Sequence, residues 1–153
     1  MLRPLLAIAA PLLLLLSGCN RPPAEPQVTL EEVRVTLPAI SGRPGALYFT
    51  ATTNNDPTRL VSITSPRAGR IELHGMTSAS GVMQMAPLLE EDTVFTDNRL
   101  VFEPGGKHAM LFDIDPALRP GDRIPLTFQF DPAPPVTVEA EVRAPGDAGH
   151  GSH

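Results

Sequence analysis

Proline restricts this chain more than any other residue does. Eighteen prolines run through the sequence, accompanied by twelve glycines. Each proline removes a backbone N–H and breaks an α-helix from within, so short strands joined by turns are what remains available. Segments 32–37, 71–74 and 124–130 alternate polar and apolar residues with the period of two that a half-buried strand requires. Further strands are expected at 46–52, 60–64, 81–85, 93–95, 100–102, 109–112 and 136–142. Turn-forming residues separate them: Asn54-Asn55-Asp56-Pro57, residues 66–69, Pro104-Gly105-Gly106 and Pro120-Gly121-Asp122. Short strands at such regular spacing predict an all-β domain, a Greek-key β-sandwich or small barrel. With 42% hydrophobic residues the chain can close one core.

The N-terminus is read as a processing signal. Arg3 precedes an apolar run over residues 5–16, interrupted by Pro11, which is shorter than the ~20 residues of a membrane-spanning helix. Residues 1–18 are therefore a signal peptide. The following Leu16-Ser17-Gly18-Cys19 resembles the bacterial lipobox, in which the cysteine becomes the first mature residue. The resemblance implies that Cys19 carries thioether-linked diacylglycerol and an acyl chain such as palmitate on its amine, enough for a stable lipid anchor. Asn20, in place of Asp, points to the outer membrane and a periplasmic location. Residues 19–27, with three prolines, make a semi-rigid tether of about 25 Å at ~3 Å per residue. The folded domain is expected over 28–143, and the Gly-rich tail 144–153 is expected to be disordered.

Charge and cysteine content exclude several functions. A formal net charge of −5 gives no cationic field for nucleic acid. The single cysteine is consumed by the lipobox, which leaves the domain without thiol, disulfide or blue-copper chemistry. No G-x-S-x-G elbow and no helical histidine pair is present, so no enzyme is expected. A haem held by a His/Met pair lacks the C-x-x-C-H attachment motif.

The rare residues then stand out. Past the signal peptide, histidine and methionine concentrate in two clusters: His74, Met76, Met83 and Met85, then His108 and Met110. Parity places His74 with Glu72 on the polar side of its strand, and places Met83 with Met85 and His108 with Met110 on shared faces. Imidazole and thioether are neutral donors and thioether is soft. Zn(II) prefers thiolate, imidazole or carboxylate and Ca(II) prefers oxygen, so the set suits Cu(I).

Ten residues separate His74 from Met85, twenty-two separate Met85 from His108, and one separates His108 from Met110. This spacing resembles the H-x10-M-x21-H-x-M pattern of the periplasmic copper chaperone family PCuAC, with one additional residue that falls in the loop 89–98. The flanking text, Ala46-Leu47-Tyr48-Phe49-Thr50 before the site, Ile71-Glu72-Leu73 leading into His74, and Glu103-Pro104-Gly105-Gly106-Lys107 before His108, is similar to the family as well. The resemblance covers about residues 28–142. It implies a cupredoxin-like β-sandwich that binds one Cu(I) through His74, Met85, His108 and Met110. It also implies delivery of that ion to the CuA centre of cytochrome c oxidase subunit II, alongside Sco-type thioredoxin-like assembly proteins. Met83 can substitute for or line the site, and Met76 is expected to pack or cap the loop.

Two features stay outside this set. His150 and His153 in the tail could form a second site preferring Cu(II), or serve only in a solubilising tail. Glu90-Glu91-Asp92 is expected to be a solvated loop. The alternative function is a lipid-anchored surface interaction or adhesion sandwich, which nothing would oblige to place Met and His at these offsets.

Overall fold

The protein is described here by a computed structural model that covers residue 25 and residues 27–147 apart from residue 56. The signal segment, Cys19, Asn20, His150 and His153 lie outside the described residues.

Among the described residues nine strands form: β1 (Val28–Thr36), β2 (Gly45–Thr53), β3 (Arg59–Thr64), β4 (Arg70–Ala79), β5 (Val82–Pro87), β6 (Arg99–Phe102), β7 (His108–Phe112), β8 (Arg123–Asp131) and β9 (Val136–Arg143). The all-β expectation is borne out. Alternation is clearest in β8, where Ile124, Leu126, Phe128 and Phe130 are buried and the residues between them are not. β1 breaks its own period: a bulge between Glu31 and Arg34, with Glu32 at φ 54°, re-aims the strand so that Val35 enters the core.

One expected strand is corrected. Residues 93–95 carry only an isolated bridge between Val94 and Arg59, because Thr93 closes a single turn of 3-10 helix, Glu90–Thr93. Asp92 stabilises that turn by accepting the Leu89 N–H at 3.0 Å, and the Thr93 hydroxyl donates to the Glu90 carbonyl at 2.8 Å. The acidic run expected as a solvated loop is this exposed turn, which Arg59 meets through Glu90 at 3.4 Å.

The strands join in the order β3-β8-β9-β1-β2-β7-β4-β5, with β6 also paired to β2. All pairs are antiparallel except β1 with β9, which makes the sheet mixed. β2 is long enough to serve two partners along one edge: Gly45 to Leu47 pair with β7 and Phe49 to Thr52 with β6. The sheet folds over on itself. Phe49 of β2 meets Phe128 of β8 edge to face at 5.0 Å between ring centroids, although β9 and β1 lie between these strands in the sheet order. In a flat sheet at about 4.8 Å per strand those rings would be roughly 14 Å apart. Phe102 stacks on Phe49 at 4.5 Å, and Phe95 meets Phe130 at 6.0 Å, so phenylalanine fills the space between the layers.

At the end of the sheet where β7 finishes, Asp115 ties two loops together. Its carboxylate accepts the Ala117 N–H at 2.8 Å and the Arg67 guanidinium at 2.8 and 3.0 Å. The Ala117 hydrogen bond, with Arg67 after it, holds the Asp115 pKa below the ordinary aspartate value. A depressed pKa stabilises the fold above the unfolded-state value near 3.9 and loses that contribution as pH falls through the folded value. Asp115→Asn is therefore expected to lower stability at pH 7 and to show a shallower further loss between about pH 5 and pH 2 than the parent, read by urea unfolding at each pH. Parallel pH profiles would remove Asp115 from this role.

Candidate metal centre

The sheet edge made by β7, β4 and β5 carries the His and Met residues. Directly opposed residues of an antiparallel pair share a face. Glu72 opposes Met110 and His74 opposes His108 between β4 and β7. Met76 opposes Met85, Ser78 opposes Met83 and His74 opposes Pro87 between β4 and β5. All six residues of the two sequence clusters thus stand on one face. The opposite face of the same strands is apolar, with Ala109 and Leu111 of β7 fully buried and Ile71 and Leu73 packed against them. Core burial fixes which face carries the donors: the one turned away from Ala109 and Leu111.

Local features hold them there. β4 continues past His74 because Gly75 lets Leu88 pack beneath it; a Cβ at that position would lie 2.7 Å from the Leu88 side chain. Leu88 is anchored in turn by donating its N–H to the Leu73 carbonyl at 2.9 Å. Ala46 of β2 lies beside Met110, a small neighbour that leaves the thioether room. The Lys107 ammonium donates to the Asp92 carbonyl and so pins the strand carrying His108 to the 3-10 turn.

Both imidazoles have one nitrogen committed. The two rings are stacked with centroids 6.2 Å apart. His108 Nδ1–H donates to the Gly106 carbonyl at 3.1 Å, which places the lone pair on Nε2. His74 Nε2–H donates to Glu72 Oε2 at 3.1 Å, which places the lone pair on Nδ1. That Nδ1 is buried and has no hydrogen-bond partner. An unsatisfied buried acceptor costs about 1–3 kcal/mol, a cost that a cation would remove. Glu72 itself is held by Arg70, whose Nε donates to Oε1 at 2.8 Å while its guanidinium lies over the Phe112 ring at 3.8 Å. The Arg70 hydrogen bond, with that of His74 second, keeps the Glu72 carboxylate ionised to lower pH than usual.

This chain of Phe112, Arg70, Glu72 and His74 is the arrangement that fixes tautomer and ring orientation around metal-binding histidines. Sequence parity had put Glu72 on the face of His74; the contribution of Arg70 became visible only through the contacts. Among the described residues no three His, Cys, Asp or Glu side chains are grouped so as to hold a metal ion. The thioethers are the further candidate donors on this face. Met85 is exposed on β5 and Met110 half-buried on β7, flanking the imidazoles. Met76, expected to pack or cap the loop, is instead exposed opposite Met85.

The LpqE-like family matches residues 28–142. The chain belongs to the LpqE-like family. Among curated proteins, the uncharacterized protein RP573 of Rickettsia prowazekii (strain Madrid E) is 36% identical over 87 residues, 56% of this chain. That match spans 48% of the Rickettsia protein, about half its length. Among solved structures, the copper-bound PCuAC domain from PmoF2 is 25% identical with a TM-score of 0.58, covering 77% of this chain and 93% of that one. The Cu(I) form of DR1885 from Deinococcus radiodurans is 25% identical with a TM-score of 0.51, covering 83% of each chain. The PCuAC resemblance read from the sequence is borne out, and this LpqE-like chain has the fold of those cupredoxin-like domains.

Proposed function

We propose that this protein is an extracytoplasmic copper chaperone that binds one Cu(I) through His74, Met85, His108 and Met110. The observation that carries the reading is the pair of opposed imidazoles, each with one nitrogen tied to the protein and the other left as a donor, flanked by thioethers on the same sheet face. The copper-bound relatives support it. Four neutral ligands leave the ion its positive charge, and soft sulfur favours Cu(I) over Zn(II).

The site is built for transfer and performs no reaction of its own. Met85 is at the exposed edge, so an incoming soft ligand can displace it first while the imidazoles and Met110 still hold the ion. An acceptor offering thiolates then takes the copper by successive ligand exchange. The CuA centre of cytochrome c oxidase subunit II, or a Sco-type thioredoxin-like assembly protein, offers such ligands. In this proposal Cys19 carries the lipid, Asn20 directs the protein to the outer membrane, and the domain works in the periplasm.

Anaerobic titration with Cu(I) against a competing chelator tests the reading. One tight equivalent is expected, with Zn(II) failing to displace it at the same concentration. An absence of tight Cu(I) binding would leave the lipid-anchored interaction sandwich as the better account.

A further inference from the structure

Beyond the four-ligand set, the hairpin of β4 and β5 carries a cluster of its own. Met76 directly opposes Met85, and Met83 precedes Met85 by two residues on the same face, diagonal to Met76. Directly opposed Cβ atoms lie about 4.5–5.5 Å apart and diagonal neighbours about 7–8 Å. Three rotatable bonds per methionine let the three sulfurs converge over the hairpin.

Packing gives these side chains nothing to do. Met76, Met83 and Met85 are 38%, 60% and 50% exposed, and none belongs to the core. The hairpin is nonetheless fixed in register. Ser80 and Gly81 turn it in two residues, with φ of 53° and 79°, the positive values that a tight type I′ connection requires. No charged residue occurs between His74 and Glu90, so the stretch of the hairpin that carries Met76, Met83 and Met85 holds no carboxylate or ammonium of its own. Three neutral thioethers with no oxygen anion suit a soft monovalent cation and no hard one.

We propose that Met76, Met83 and Met85 form a second, all-thioether subsite for a soft monovalent ion. It shares Met85 with the four-ligand site, and it holds the ion in transit between solvent or a partner and the imidazoles. The proposal deepens the copper reading, yet it makes its own demand on Met76 and Met83, which that reading does not use.

The test uses the full chain with Cys19→Ser, so that no thiol competes, labelled with 13C at the methionine methyl groups and titrated with Ag(I), a redox-inert soft ion. The four-ligand site is disabled by His108→Ala with Met110→Leu. In that variant the Met76, Met83 and Met85 methyl signals are expected to shift together and saturate at one Ag(I). Adding Met76→Leu and Met83→Leu is expected to weaken the remaining Ag(I) binding at least about tenfold, or 1.4 kcal/mol. With His108 and Met110 intact, the same two leucines are expected to leave the tight equivalent in place. These exposed, volume-conserving changes do not threaten the fold. Stationary Met76 and Met83 signals throughout would overturn the subsite. An unmoved Met110 signal in the chain that retains His108 and Met110 would count separately, against the four-ligand site.

Discussion

Met110→Leu is expected to weaken Cu(I) binding at least about tenfold while leaving the fold intact. Leucine keeps the volume and apolarity of methionine and such swaps cost less than about 1.5 kcal/mol, so packing against Ala46 and Glu72 survives. The sulfur is all that is lost. Because Met110 stands on the face opposite the buried Ala109 and Leu111, its replacement leaves the buried layer untouched. Chelator competition under anaerobic conditions reads the affinity, and circular dichroism with thermal melting reads the fold. Unchanged affinity would remove Met110 from the site. A collapsed melting temperature would show that it serves the core after all.

Phe49→Ala should have the largest effect on stability. Phe49 is 1% exposed, stacks on Phe102 and meets Phe128 from the other layer, so it is one of the side chains that hold the folded-over sheet closed. Truncating a buried phenylalanine costs about 3–5 kcal/mol, a large part of the roughly 5–15 kcal/mol that keeps a domain folded. At roughly 4 °C per kcal/mol the melting temperature should fall by about 12–20 °C. Val61→Ala, on an exposed position of β3, should change stability by no more than about 0.5 kcal/mol. Copper should offset part of the loss, since a ligand at 100 times its Kd stabilises the folded state by about 2.7 kcal/mol. A Phe49→Ala protein that melts with the parent would mean that the two layers are held together elsewhere.

Much of the fold could be read from the chain because alternation is local. The buried residues Ile124, Leu126, Phe128 and Phe130 announce β8 without reference to any other strand. Where local rules failed, a competing local interaction was responsible. Residues 93–95 have strand-forming composition, but the side chains of Asp92 and Thr93 cap a 3-10 turn just ahead of them. Gly75 similarly interrupts the pattern after His74. Its missing Cβ is what admits Leu88 and lets β4 run on to Ala79.

The donors themselves belonged to the sequence: which residues are rare, that they are soft and neutral, and that parity turns His108 with Met110 and Met83 with Met85 to common faces. Pairing belonged to the tertiary structure. Only the register of β4 against β7 places His74 opposite His108, and only the register of β4 against β5 places Met76 opposite Met85. Register between strands distant in the chain depends on which apolar faces close over one core, here the phenylalanines between the layers. Side-chain alternation within a strand carries no record of its partner, so the sequence supplied the candidate donors and the packed sheet decided where they meet.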